Sequence, residues 1–357
     1  MKLHDYTGVI HFHSEYSYDG SVSVSEIITA AREREIDFLM LTDHSTLEAK
    51  KQEGWRENVL LIVGQEISPR FNHYIAFGID KTVFAEADEE GNEPPQNYID
   101  MVMNEGGIGF LAHPDHEGTR VFHVKHFPWV NREVSGYTGI SIWDFMTDWQ
   151  SSLDRFPGMI INYFFPAHVL GGPKKTTLEW WDHLNQRRRV VGIGEIDNHC
   201  TIFKIMGVPL KIFPFKKAFT FIRTHVLLEK SLSGDDKADI KKLLKALSTG
   251  RAYVALEYFS LAKGFTFFIF DGENTATMGD VFEIKEKAVI RVGTPRRALI
   301  RLIRNGQVFS EEMGCKVTCG VSEGGVYRVE AYLKSWGRLR PWIFSNPIYV
   351  RSQEKFS

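Results

Sequence analysis

The sequence predicts a barrel-like α/β fold followed by a small all-β domain, and three observations carry that expectation. Strand and helix signals alternate through the first ~200 residues. Nine side chains able to ligate metal stand at the ends of apolar runs in that stretch: His11, His13, Asp19, His44, Glu66, His73, His113, Asp197 and His199. From about residue 251 onward the pattern is all strand, in short runs separated by turns. Donors spread over many strand ends argue for a sheet whose strand C-termini meet at one rim, because a small zinc module takes its ligands from one local hairpin.

The elements follow in order. Residues 7–12 form a short apolar run with β-branched side chains. Ser23-Val24-Ser25-Glu26 reads as a capping box and opens a helix expected to reach about Glu35, with Ile27, Ile28, Ala30 and Ala31 on its apolar side. Strands are expected at 37–42 and 59–63, with an antiparallel or hairpin partner at 73–79. A helix at 97–104 stops near Gly106-Gly107, and apolar runs at 108–112, 140–145, 159–162 and 190–193 continue a sheet read as parallel. Residues 86–96 are acidic, contain Pro94-Pro95 and read as an exposed loop; residues 115–135 have no period and read as a long loop over the site. A helix at 235–247, stopped by Gly250, leads into runs at 252–258, 265–270, 281–284, 288–292, 300–304, 316–319, 327–333 and 347–350. Asn305-Gly306 is a hairpin turn signal, and the set reads as a β-sandwich. The expected division is a barrel at 1–224, a linking helix at 225–250 and a sandwich at 251–357.

Composition narrows the function classes. With 43 basic and 45 acidic residues there is no global basic field, so nucleic acid is expected only as a substrate. No run of ~18 apolar residues occurs and no secretory leader is visible, so no membrane role and a cytoplasmic location are expected. Three cysteines, Cys200, Cys315 and Cys319, fit a reducing compartment better than a disulfide framework. The oligomeric state is left open by the sequence.

The chemistry lies in the nine donors. His11-Phe12-His13 puts two imidazoles on one side of a strand, and Asp197-Asn198-His199 does the same with a carboxylate and an imidazole. A single histidine at a strand end is more often structural than a ligand. Six histidines and three carboxylates together are poor core filling. Mixed imidazole and carboxylate donors without thiolate suit Zn, Mn or Fe, and nine are too many for one ion, so two or three divalent ions are expected. Such clusters lower the pKa of bound water and stabilise attacking and leaving oxygens, which is hydrolytic chemistry.

The His-x-His start, Tyr16-Ser17-Tyr18-Asp19-Gly20, Thr42-Asp43-His44, Glu66, Ala112-His113-Pro114 and the late Asp-x-His resemble the PHP (polymerase and histidinol phosphatase) domain over about residues 6–200. The resemblance implies a distorted seven-stranded β/α barrel, a di- or trinuclear metal site and phosphoesterase activity. It implies one ion held by His11, His13, Glu66 and Asp197, a second by Glu66, His73 and His113, and a third by Asp19, His44 and His199, with a hydroxide between ions attacking phosphorus in line. Asn72-His73-Tyr74, residues 180–199, Leu247-Ser248-Thr249-Gly250-Arg251 and Ser345-Asn346-Pro347-Ile348-Tyr349-Val350 are similar to a subgroup with a β-sandwich after the barrel, some of whose members are carbaryl-hydrolase-like metallohydrolases.

The chain departs from that pattern at two places. Ile196 precedes the late Asp where relatives often carry Ser or Thr, and Glu195 is the second choice for the carboxylate of Asp197. Asp115-His116 follows His-Pro where relatives carry a small or basic residue. His116 is a candidate general acid for the leaving oxygen, against a plain loop histidine in solvent. Arg70 is a candidate phosphate ligand through its planar fork. The leading expectation is a metal-dependent phosphoesterase acting on a small phosphomonoester, a nucleotide or a short oligonucleotide. The alternatives are hydrolysis of a carbamate, ester or amide at the same site, and a non-enzymatic metal-stabilised binding scaffold.

Overall fold

The computed structural model describes residues 3–88, 91, 93–120, 124–153, 162, 164–205, 208–335 and 337–352. Eight strands occupy the N-terminal part: β1 (His4–Ile10), β2 (Phe38–His44), β3 (Gly54–Arg56), β4 (Val59–Ile67), β5 (Tyr74–Phe77), β6 (Ile108–Leu111), β7 (Gly139–Asp144) and β8 (Val191–Glu195). β1, β2 and β4 pair in parallel, as do β6, β7 and β8. β5 runs against both β4 and β6, so the sheet is mixed where the sequence read it as parallel. The physical reason is the short link between β4 and β5, since a parallel return needs a crossover of a dozen or more residues. The reversal has a consequence for the site. Six strands end at one rim, and β5 begins there.

After β8 comes a separate hairpin of β9 (Ile202–Ile205) and β10 (Val208–Lys211), and then β11 (Ile222–Leu228). β11 lies antiparallel on the outer edge of β1, from His4↔Leu228 to Gly8↔Thr224. That edge is therefore taken, and β8 does not pair with β1 as a ladder. Hydrogen bonds between the two chain segments come only at and past the end of β1. The Ile196 N–H donates to the Ile10 carbonyl at 3.1 Å, the His13 N–H donates to the Asn198 carbonyl at 3.0 Å, and Phe12 and Asn198 form an isolated parallel bridge. The ladder of the seven strands is thus not closed, where a closed barrel was expected.

Helix α1 (Val24–Arg32) starts as the capping pattern requires, with Ser23 Oγ accepting from the Glu26 N–H at 3.3 Å, and it buries Val24, Ile27, Ile28, Ala30 and Ala31. It stops at Arg32, short of the expected Glu35, because the chain must turn back into β2. Glu35 adopts φ 53° and the Asp37 N–H bonds the Thr7 carbonyl. Helix α2 (Pro95–Asn104) matches its periodic run. Helix α3 (Phe145–Gln150) was hidden in the apolar run at 140–145. Asp144 ends β7 and also caps α3, accepting from the N–H groups of Met146 and Thr147. Of the run expected at 159–162, only Asn162 lies within the described residues.

A helix over Asp236–Ser248, capped by Asp235 and followed by Gly250 at φ 82°, leads to β12 (Ala252–Leu256), which extends the sheet from β11. The remaining strands are β13 (Thr266–Phe270), β14 (Thr275–Thr277), β15 (Val281–Ile284), β16 (Ala288–Arg304), β17 (Gln307–Val321), β18 (Gly325–Ser335), β19 (Arg338–Ser345) and β20 (Ile348–Ser352). The runs at 288–292 and 300–304 belong to one strand, β16, which survives a register shift between Gly293 and Ala298. β19 escaped the sequence reading because Pro341 interrupts it; that proline sits at the shift opposite Tyr332. Among the described residues, the buried apolar ones form three clusters: a large one around the N-terminal strands, a second drawn from Leu227 and residues 253–350, and a third that joins Ile10, Phe38, Ile62, Phe110 and Ile193 to Leu243 and Leu247 of the helix at 236–248. No helix among the described residues is long and apolar enough to cross a membrane.

Candidate metal centre

The common rim gathers all nine sequence-selected donors. His11 and His13 follow β1, His44 ends β2, Glu66 lies near the end of β4, His113 follows β6, and Asp197 and His199 follow β8. His73 sits just before β5 and reaches the same rim because β5 is reversed. The parallel register sets His44 directly beside Glu66. Asp19 comes from the loop between β1 and α1, held by the Ser17 hydroxyl at 2.8 Å.

The reason His11 and His13 share a side differs from the expected strand alternation. β1 ends at Ile10, and His11 adopts φ 65°. Phe12 turns away to pack edge-on against Phe215 and Phe219. His113 (φ 27°) and Asp197 (φ 44°) are also in the left-handed region. Such backbone costs on the order of 1–3 kcal/mol per residue and persists only where the surroundings hold it, which is a mark of functional sites.

The donor atoms fall into three interlocking groups: His11, His13, Glu66 and Asp197; Glu66, His73 and His113; and His13, Asp19, His44 and His199. In the first, His11 Nε2 and His13 Nε2 each stand 3.3–3.4 Å from Glu66 Oε2 and 3.4 Å from Asp197 Oδ1. In the second, Glu66 Oε1 lies 2.7 Å from His73 Nδ1 and 3.4 Å from His113 Nε2. In the third, Asp19 Oδ2 is 3.2 Å from the Nε2 atoms of both His44 and His199, which are 3.5 Å apart. A tetrahedron's edge is about 1.6 times its centre-to-corner distance, so ligands ~2.0–2.1 Å from a zinc-like ion stand about 3.3 Å apart. His11 Nε2, His13 Nε2, His44 Nδ1 and Glu66 Oε2 are buried without a hydrogen-bond partner among the described residues. Buried polar atoms are normally satisfied. Orphans converging at these spacings fit a divalent cation.

Outer partners fix which ring atom faces inward. His11 Nδ1 meets Glu195 Oε2 at 2.8 Å, and Glu195 Oε1 accepts the His113 N–H at 2.6 Å. Glu195 therefore stands behind the cluster and Asp197 within it. The Pro69 carbonyl holds His73 Nε2 at 3.0 Å, leaving Nδ1 for Glu66. Asp43, which the sequence offered only as the middle of Thr42-Asp43-His44, accepts from the N–H and hydroxyl of Ser14 and braces the loop after His13. Asn72, at φ 64°, accepts from the N–H groups of Val130 and Asn131 and pins the long loop beside His73.

The electrostatics are those of a cation-seeking site. Burial disfavours charge on His11, His44 and His113, yet Glu66 and its neighbouring carboxylates outweigh it and push the imidazoles up, His44 to about 10 and His113 to about 9. Burial likewise opposes ionisation of Glu66 and Asp197, but the surrounding imidazoles hold both carboxyls well below the usual range. His13 moves down to about 3, first through burial and then through the charge of His199. Asp144, next along the rim, is pushed up to about 7 by burial and by Glu195 and Asp197.

A cavity of about 470 Å³ opens on the cluster, with Asp19 (side chain 34% exposed) and His199 (20%) on its open side. The exposed Tyr18 ring stacks on His44 at 4.9 Å. Arg70 lines the rim. Its guanidinium lies 4.3 Å from the Phe71 ring, donates to the His126 carbonyl at 2.7 Å and has no carboxylate partner among the described residues. His116 is not a loop histidine in solvent. It is buried in the cavity wall, its Nδ1 accepts from the Phe127 N–H at 3.2 Å, and burial followed by the charge of His113 takes it down to about 3. With Nδ1 accepting, the hydrogen of the neutral ring is on Nε2.

Comparison with known proteins agrees with the motif reading. The solved structures it resembles include a two-domain protein from Bacteroides vulgatus described as containing a predicted PHP-like metal-dependent phosphoesterase, at 13% identity, TM-score 0.42, covering 96% of this chain and 95% of that one. Another is an amidohydrolase from Chromobacterium violaceum with bound sulfate and no metal, at 14% identity, TM-score 0.31, covering 58% and 92%. Likeness this distant decides nothing about activity. Comparison with curated proteins gives no significant match. Residues 10–118 match the family profile of the PHP domain, a span that holds seven of the nine clustered donors and leaves out Asp197 and His199. The match covers about a third of the chain, in its N-terminal part.

Proposed function

We propose that the chain is a metal-dependent phosphoesterase of the PHP type, acting on a small phosphomonoester, a nucleotide or a short oligonucleotide. The observation that carries the reading is the set of unpartnered donor atoms converging around Glu66. His11, His13, Glu66 and Asp197 would hold one divalent ion, Glu66, His73 and His113 a second, and Asp19, His44 and His199 a third, with Zn, Mn and Fe all compatible. When bound, the ions supply Lewis acidity and a water of lowered pKa. The chain's own residues set the rest. Glu195 and the Pro69 carbonyl orient His11 and His73. The Arg70 guanidinium, which has no carboxylate partner among the described residues, is suited to a non-bridging phosphate oxygen on the open side. The water oxygen bonds to phosphorus, the bond from phosphorus to the alcohol oxygen breaks, and that oxygen leaves with a proton.

The same reading treats β1, β2 and β4–β8 as a distorted seven-stranded barrel completed by the Phe12–Asn198 bridge, with a linking helix at 225–250 and a β-sandwich at 251–357. The second buried apolar cluster supports the sandwich. The test is a panel of phosphate, carbamate and carboxylic esters given to the metal-loaded protein before and after exhaustive chelation. Turnover confined to phosphates and abolished by chelation is expected. Phosphate turnover that survives chelation would falsify the reading, and turnover of carbamates or carboxylic esters alone would transfer it to the other bond.

A further inference from the structure

Helix α3 has no part in the cluster, yet it forms a wall of the cavity. Met146, Trp149 and Gln150 stand at i, i+3 and i+4, so one face of the helix looks onto the space in front of the metal ligands. Ile212 and Phe127 from the long loop also line the cavity, the Phe127 ring lying 5.1 Å from that of His73 and 5.3 Å from the Arg70 guanidinium. Met146, Trp149, Gln150 and Ile212 carry no charge, so a charged moiety seated against them would lose water without gaining a partner there, and the Arg70 guanidinium over Phe127 is the group assigned to the phosphate. Gln150 lines the cavity and is 7% exposed, and its side-chain partner among the described residues is His116. A buried polar group aimed into an apolar cavity is what fixes a ligand's orientation in small-molecule sites. The volume of about 470 Å³ is more than a phosphate needs and leaves room for a ring.

We infer that the face of α3 seats the substrate's leaving group, and that this group is aromatic and uncharged, with a hydrogen-bonding substituent that meets Gln150. The inference rests on the phosphoesterase reading and narrows its substrate class. Hydrolysis would release inorganic phosphate from the cluster side and an aryl-bearing alcohol from the α3 side.

The test uses the protein loaded with Mn²⁺ or Zn²⁺ and three phosphates whose alkoxide leaving groups are comparable in basicity: benzyl phosphate, 3-hydroxybenzyl phosphate and glycerol 1-phosphate. Expected is a kcat/KM for benzyl phosphate about tenfold or more above that for glycerol 1-phosphate, a ratio typical of a filled apolar pocket. Met146→Asn and Phe127→Ser should each narrow that ratio to within about threefold. The hydroxyl should raise kcat/KM further, and Gln150→Leu should remove that gain. Equal turnover of benzyl and glycerol phosphates, or a ratio indifferent to Met146→Asn and Phe127→Ser, overturns the subsite while leaving the phosphoesterase reading intact. No gain from the hydroxyl, or a gain that survives Gln150→Leu, overturns the role of Gln150. Turnover of no phosphoester at all overturns both readings together.

Discussion

Two buried clusters of imidazole and carboxylate sit near opposite ends of β1, and they have opposite chemistry. Near its start, His225 of β11 has both ring nitrogens engaged, Nδ1 with Asp5 at 2.8 Å and Nε2 with Glu257 at 3.1 Å. Arg223 takes the other oxygen of Glu257 at 2.6 Å, Tyr253 donates to Asp5 and stacks on the imidazole, and the Ala262 N–H bonds Glu257. Every group in that cluster has a partner. Past the end of β1, His11 Nε2, His13 Nε2 and His44 Nδ1 converge on Glu66 Oε2 at 3.0–3.4 Å, and among the described residues none of the four atoms makes a hydrogen bond. Burial and residue type are the same in both places, so neither marks a metal site. What separates them is whether the polar atoms are satisfied, because a closed ion-pair network has nothing left to offer a cation.

The sharpest way to break the comparison is Glu66→Gln. Glu66 belongs to two of the three donor groups, and the loss of its charge should cost about a thousandfold or more in phosphoester kcat/KM. Activity within tenfold of the parent would remove Glu66 from the centre of the site. The second test goes to the other cluster. Replacing His225 by Asn leaves Asp5 and Glu257 without their shared cation and should lower unfolding stability by about 3 kcal/mol while leaving metal content unchanged. It also has a pH signature. Burial disfavours the charge on His225, but its bonds to Asp5 and Glu257 win and raise it from 6.5 to about 9. A raised imidazole stabilises fully below its unfolded value and loses that contribution as pH rises through about 9. Denaturant titrations between pH 7 and 10 should show this alkaline loss in the parent protein, and the Asn variant should lack it.

Glu195→Gln sharpens the same contrast from within the site. Glu195 orients His11 without joining the donor groups, so metal affinity should fall about 10–100-fold with the fold intact. No change in affinity would mean that backbone strain alone sets the ring. The smallest effect is Ser23→Ala, at the start of α1, which should cost about 1 kcal/mol of stability and nothing in metal binding. It calibrates what a purely structural loss looks like.

Much of this was legible in the sequence, and the failures have physical causes. The donors were readable because imidazoles and carboxylates at the ends of apolar runs break the expected pattern, and the rim of a mostly parallel sheet then gathers them. Their convergence did not come from alternation, since His11, His113 and Asp197 use left-handed backbone that no spacing rule predicts. Glu195 stayed ambiguous because it stands two residues before Asp197, and only the 2.8 Å contact to His11 Nδ1 sorts their roles. The open ladder was invisible because it depends on β11 claiming the edge of β1 across more than two hundred residues of chain. Helix α3 was missed because its apolar residues continue the run of β7, and the one signal available was Asp144 as a cap. His225 and its partners went unread because Asp5, His225 and Glu257 are brought together only by the β1–β11–β12 pairing.

The central claim is that cations, and not protons or ion pairs, complete the cluster around Glu66. Elemental analysis of the parent protein, Glu66→Gln and His225→Asn, each purified without added chelator and equilibrated with divalent metal, tests it most directly. Two or three equivalents in the parent and in His225→Asn, with a marked loss in Glu66→Gln, is the outcome this account requires. A parent protein that retains no divalent metal, or a Glu66→Gln variant that retains as much as the parent, would contradict it.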